Sequence, residues 1–285
     1  MTDSDARYLF ETAGPVDLKV ELNAGNIDIT STDTSQTTVE LEALHGDSYA
    51  RDLIAAARVE QRGDKITVIL PTNKGGFFGR KGQVRATIEV PHESNLKVQT
   101  GSADVDCRGR FGQAQVDNGS GDVELAQIAS GELRSGSGDV TVDRVIASLK
   151  VKTGSGDVTI GPIGGGGEIT AGSGDVVLDT VEGPLKIKTG SGDVVVKSGG
   201  DRVDALAGSG DVLVRRVDHG EVFAKTGSGD ITIGVADGTA AYLDIQTVTG
   251  DVHSSLDSTE APQGNDATVA INVVSGTGDV VLQRA

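Results

Sequence analysis

From about residue 96 onward, hydrophobic and polar positions alternate with a period of two in short bursts, and a glycine-rich corner cuts off each burst. Between Thr153 and Ala171, Val158, Ile160, Ile163 and Ile169 are apolar, while Asp157, Thr159, Gly161 and Glu168 stand between or beside them. This is the alternation of a strand with one buried face, not the three-to-four spacing of a helix. The same columns return as Val176, Leu178, Val181, Leu185 and Ile187, then as Val194, Val196, Val203 and Ala205, then as Val212, Val214 and Val217.

The corners share the phrase Gly-Ser-Gly-Asp-Val. Its aspartates fall at Asp104, Asp122, Asp139, Asp157, Asp175, Asp193, Asp211 and Asp230, then more loosely at Asp251 and Asp279, with steps of 18, 17, 18, 18, 18, 18, 19, 21 and 28. A short unit repeated at a near-constant step predicts an all-β fold: a single-chain β-solenoid (β-helix) with rungs of roughly 18 residues. Energetics require the stacking. About five buried aliphatics per rung, at roughly 2 kcal/mol each, supply about 10 kcal/mol. Ordering ~18 residues costs roughly 18 to 36 kcal/mol of backbone entropy. A lone rung would unfold, whereas stacked rungs share ladder hydrogen bonds and cover one another's apolar columns.

The first part of the chain is less regular but follows the same template. Val16 to Ile29 repeats the strand and corner, with Asn26 in the aspartate column. Val39 to Ala43, Lys65 to Leu70 and Val84 to Val90 read as strands, Pro71 and Pro91 as their ends, and Ser48 to Ala57 as one short amphipathic helix. The expected organisation is an irregular N-terminal β cap over residues 1–95, continuous with a solenoid over residues 96–285. At the other end, Val280 to Arg284 reads as a final strand, so the C-terminal solenoid edge is expected to be open to pairing with another copy. Ser254 to Ala267, with Pro262 and Gly264, reads as a surface loop.

Composition narrows the function. The chain carries 25 Lys and Arg against 42 Asp and Glu, a net charge of −17 that disfavours nucleic acid as a partner. Aromatics are 3% and tryptophan is absent, so stacking platforms for sugars or bases are scarce. Cys107 stands alone and is expected to be a small buried hydrophobe. The start, MTDSDARYLF, has no charged-then-apolar leader, and no apolar run approaches the ~18 residues of a membrane helix. The expected location is cytoplasmic, with a membrane-peripheral position open to it.

The opening Gly14-Pro15-Val16 strand, the extended segment ending at Val90-Pro91 and the serial Ser-Gly-Asp-Val units together resemble a bacterial family of β-strand-repeat proteins of unknown function, often labelled "putative adhesin". The resemblance spans nearly the whole chain. It implies a β-solenoid without established catalysis, and it supplies no functional residue to transfer.

Carboxylates stacked at about 4.8 Å repel by roughly 0.9 kcal/mol per neighbouring pair even at the dielectric of water, so something must offset the aspartate column. One reading gives each aspartate hydrogen bonds from corner N–H groups and from the serine column of Ser120, Ser137, Ser155, Ser173, Ser191, Ser209 and Ser228. The other makes Asp122, Asp139, Asp157, Asp175, Asp193 and Asp211 a row of calcium ligands, as in calcium-stabilised β-rolls. Those rolls repeat Gly-Gly-x-Gly-x-Asp every nine residues, whereas here Asp follows Gly directly on a doubled period. Gly-x-Gly recurs in nearly every rung with no helix after it, and no Lys-Ser/Thr pair completes a phosphate loop, which argues against one. The serines lack a nucleophile elbow, and His45, His92, His219 and His253 form no ligand cluster.

One segment departs from the pattern. Lys74-Gly-Gly-Phe-Phe-Gly-Arg-Lys81 sets Phe77 and Phe78, two of five phenylalanines, beside Lys74, Arg80 and Lys81 in an otherwise acidic chain. Such a loop either folds its rings over the solenoid's end or docks on a protein partner or an anionic membrane surface. The expected function is a non-catalytic scaffold or adhesin-like interaction module that needs no cofactor. The alternatives are a calcium-stabilised β-roll and a polysaccharide-processing β-helix enzyme, the latter needing convergent acids, bases and aromatic platforms that the repeats do not supply.

Overall fold

The computed structural model describes residues 5–71, 82–256 and 267–285, and the fold is an all-β solenoid with an irregular N-terminal cap carrying one short helix. The chain divides into two compact units, Met1–Arg144 and Val145–Ala285.

The first unit contains β1 (Ala6–Glu11), β2 (Asp17–Thr32), β3 (Gln36–Ala43), α1 (Ser48–Ala55), β4 (Arg58–Arg62), β5 (Lys65–Ile69), β6 (Val84–Pro91), β7 (Asn95–Asn118) and β8 (Val123–Ser135), with β9 (Val140–Val145) ending just past the division. Strand β2 is the first complete rung. Its two halves pair in parallel with β5 and β6 on one side and with successive parts of β7 on the other. Asn26 lies opposite Asp104, as its place in the repeat predicts. Beyond β5 and β6 the pairing turns antiparallel: β4 runs against β5, β3 against β6, and β1 against β3. These antiparallel strands close the parallel stack, which is how a solenoid avoids leaving a template for further rungs. The Asp47 carboxylate accepts from the Tyr49 N–H at 2.9 Å to cap α1, which buries Ala50 and Ile54.

The second unit is built from β10 (Leu149–Thr153), β11 (Val158–Ile160), β12 (Gly167–Ser173), β13 (Val176–Val181), β14 (Leu185–Ser191), β15 (Val194–Gly199), β16 (Arg202–Ser209), β17 (Val212–Val217), β18 (Gly220–Ser228), β19 (Ile231–Val235), β20 (Ala240–Thr249), β21 (Val252–Ser254), β22 (Thr268–Thr277) and β23 (Val280–Arg284). Two parallel ladders result. One runs β10, β12, β14, β16, β18 and the other β11, β13, β15, β17, β19, with Ile169 opposite Ile187 and Leu178 opposite Val196. The apolar columns meet inside, where Ile160, Ile187, Val196 and Val214 are buried.

The last two rungs stack out of chain order. Strand β22 lies on β18 and carries β20 on its other side, while β23 lies on β19 and carries β21. This corrects the expectation that the final strand forms the open edge: β23 is paired with β19 along its length and with β21 at residues 280–282, and the terminal rung is β20–β21. The long steps around Asp251 follow from the same swap. Among the described residues no helix is long and apolar enough to cross a membrane.

Candidate functional site

Each corner brings an aspartate to the same place on successive rungs, and the parallel register aims its carboxylate at the next rung's backbone. In the first unit the Asp122 N–H donates to the Asp104 carboxylate at 3.1 Å, and the Asp139 N–H to Asp122 at 3.0 Å. In the second unit the Asp175 N–H donates to Asp157 at 2.9 Å, Asp193 to Asp175 at 2.8 Å, Asp211 to Asp193 at 2.9 Å and Asp230 to Asp211 at 2.8 Å. The chain then follows space rather than sequence: Asp279 donates to Asp230 at 2.7 Å and Asp251 to Asp279 at 2.9 Å. In the second unit the carbonyls of Asp175, Asp193, Asp211, Asp230, Asp279 and Asp251 accept from the valine or isoleucine after the neighbouring corner, as Asp193 does from the Val176 N–H at 2.8 Å.

A hydrogen bond from an amide to an ionised acceptor contributes about 1.5 to 3 kcal/mol, more than the roughly 0.9 kcal/mol of repulsion per neighbouring pair. Of the aspartates expected as calcium ligands, Asp122 and Asp139 are neighbours in the first unit and Asp157, Asp175, Asp193 and Asp211 form a file in the second, and the carboxylates of Asp122, Asp157, Asp175, Asp193 and Asp211 each accept the next aspartate's amide. Among the described residues no group of three or more His, Cys, Asp or Glu is placed to hold a metal ion.

A second acidic file was not singled out from the sequence. Asp28 lies opposite Asp106, and Asp106 opposite Glu124. With Asn26, Asp104 and Asp122 these side chains line a groove of about 230 Å³. Its signal is legible in retrospect: Asn26-Ile-Asp28, Asp104-Val-Asp106 and Asp122-Val-Glu124 carry an acid on the outward position after the valine or isoleucine, where later rungs carry Thr141, Thr159 and Val177. Burial pushes the Asp28 carboxyl up, partly opposed by the Arg85 guanidinium 3.7 Å away. Arg108 hydrogen-bonds Asp106 beside it.

Cys107 is buried as expected, and burial pushes its thiol well above the ordinary range, which keeps it protonated and unreactive. His219 sits between two carboxylates, with Nδ1 2.5 Å from Asp218 and Nε2 3.4 Å from Asp201; the Asp218 hydrogen bond raises its pKa. The Ser31 hydroxyl approaches His92 Nδ1 at 3.1 Å but donates to the Arg110 carbonyl at 2.9 Å and accepts from the Arg110 N–H at 2.7 Å, the pattern of a structural tie. The docking candidates Lys74, Phe77, Phe78, Arg80 and Lys81 lie outside the described residues.

A family profile described as Toastrack DUF4097 matches residues 16–212 and 185–283. The chain belongs to this family. Several solved structures are similar along nearly their whole length. One is described as a putative lipid binding protein from Parabacteroides distasonis ATCC 8503, at 12% identity and a TM-score of 0.44, with 96% of each chain covered. A second, a putative adhesin from the same organism, shows 11% identity and a TM-score of 0.42, covering 97% of this chain and 96% of its own. A third, a putative adhesin from Parabacteroides merdae ATCC 43184, shows 10% identity and a TM-score of 0.39, covering 97% of this chain and 95% of its own. No curated protein matches the chain.

Proposed function

We propose that this Toastrack protein is a non-catalytic interaction module: a stiff β scaffold whose repeat faces and Lys74–Lys81 segment present contacts to a partner. The observation that carries the reading is the use of the repeated carboxylates. They are the most numerous candidate groups in the chain, and from rung to rung they accept backbone amides. Hydrolytic chemistry needs unlike groups converging on one reacting atom, with at least one held ready to take or give a proton. A file of like groups bonded along its own axis supplies a uniform acidic stripe instead.

The Lys74–Lys81 segment adds the opposite chemistry, three cations and two phenyl rings in ten residues of sequence otherwise free of acids, Thr72 to Lys81. Cations draw such a segment to an anionic surface, and the rings supply apolar area once there. The test is flotation with vesicles of mixed zwitterionic and anionic lipid, run with the full chain and with a Phe77→Ser/Phe78→Ser double variant. The native chain is expected to float and the variant to stay at the bottom. Equal flotation of both, or none by either, removes the segment from the docking role.

A further inference from the structure

We propose that the terminal rung of the second unit, β20–β21, is a self-association surface through which two copies of the chain pair about a twofold axis. This goes beyond the interaction-module reading and does not depend on the Lys74–Lys81 segment.

Three observations converge on this rung. First, among the described residues β20 pairs only with β22, and β21 only with β23, so the outer edge of the rung presents a row of unpaired backbone N–H and C=O groups. Second, its core positions are open. Leu243 lies opposite Ile271 and Val252 opposite Val280. Ile271 and Val280 are 1% and 0% exposed, whereas Leu243 and Val252 are 44% and 46% exposed. Tyr242 and Val248, on the outer face of the same strand, are also exposed. Four of the six exposed large hydrophobic side chains among the described residues are therefore on one rung.

Third, the rung lacks the devices that normally blunt an edge. Between Ala240 and Ser254 the only ordinarily charged residues are Asp244 and Asp251, with no Lys, Arg, Glu or Pro. Strand β4 of the first unit, also paired on one side only among the described residues, is the opposite case, with Arg58, Glu60 and Arg62 in five residues.

The occupant follows from what could cover such a rung. The residues after β21, Asp257 to Asp266, read DSTEAPQGND, with three acids and no apolar side chain larger than proline. Their composition does not suit a lid for Leu243 and Val252. A covering strand must set an apolar side chain opposite Tyr242 and no carboxylate opposite Asp244. Strand β20 itself meets that description. Paired antiparallel with its own copy and centred on Ile245, it sets Tyr242 opposite Val248 twice, Leu243 opposite Thr247, and Asp244 opposite Gln246. Aromatic and β-branched residues are favourable cross-strand neighbours, and no like charges face each other. The pairing is isologous, so it closes at two copies. The antiparallel cap of the first unit offers no parallel rung for head-to-tail growth.

Sedimentation equilibrium of the full chain tests this. The native chain is expected at twice its 29.1 kDa mass, and a Val248→Lys variant at the monomer mass. Val248 is 83% exposed, so the variant should keep the native melting curve and circular dichroism spectrum. A Tyr242→Cys/Val248→Cys variant should form covalent dimers on mild oxidation, while Cys107 stays buried and unreactive. A native chain that is monomeric, a dimer that persists in Val248→Lys, or a dimer that does not cross-link between positions 242 and 248 would each overturn the proposal.

Discussion

Replacing Gly210 by valine is expected to unfold or severely destabilise the second unit, by about 3 kcal/mol or more. Gly210 sits in the corner between β16 and β17 at φ +136°, a region that L-residues rarely adopt. An added Cβ would lie 2.3 Å from the carbonyl oxygen of Gly192 and 2.7 Å from its carbonyl carbon. Those are backbone atoms of the previous rung, held by the ladder on both flanks, so they cannot move aside without breaking parallel pairing. The repeat requires glycine here because corner stacks directly on corner. Gly14→Ala is the control. Nothing lies within 4 Å of its added Cβ and its φ is ordinary, so its effect should stay within about 0.5 kcal/mol. Thermal melting of both variants checks the pair, and a shift of roughly 6 to 12 °C or more is expected for the corner substitution.

The second large effect is expected from the core. Leu178 on β13 is fully buried, with Ile160 and Val196 as its register partners on the rungs to either side. Leu178→Ala should cost about 3 kcal/mol, made up of lost transfer energy and the cavity that remains. Collapse around the cavity is limited because β11 and β15 are fixed at strand spacing by their own hydrogen bonds. Denaturant unfolding should show a lower midpoint with an unchanged slope, whereas Ile146→Ala, at a half-exposed position, should shift it by less than about 1 kcal/mol.

The rung architecture was legible in the sequence because parallel stacking demands the same residue type at the same place in every copy. Val158, Ile160, Ile163 and Ile169 all proved to be buried, as the two-residue alternation requires. The helix was legible from its amphipathic spacing, and the strands at Val39, Lys65 and Val84 from their β-branched content. Strands β1 and β4 were not: RVEQR has one apolar residue, ARYLFE is a short run with charges at its second and last positions, and both pair antiparallel in the cap, which follows no repeat. The swapped order of the last two rungs was hidden for a related reason. Rungs of one template fit one another in any order, so only the steps of 21 and 28 between Asp230, Asp251 and Asp279 hinted that the chain leaves and returns.

Hydrogen bonding was one of two readings of the aspartate column, with corner N–H groups and the serine column as its donors, and the next aspartate's own amide became visible as a donor only with the register. The second acidic file of Asp28, Asp106 and Glu124 depends on the same information, since residues far apart in sequence become neighbours only across a ladder.

The central claim is that the repeated aspartates act as rung-to-rung hydrogen-bond acceptors in a parallel stack. Residue-resolved amide hydrogen exchange in calcium-free buffer with chelator tests it most directly. The amides of Asp175, Asp193, Asp211 and Asp230 lie at exposed corners, yet each should exchange at least roughly a hundredfold more slowly than in an unfolded chain. Exchange at the unfolded-chain rate, or protection that appears only when calcium is added, would contradict the account.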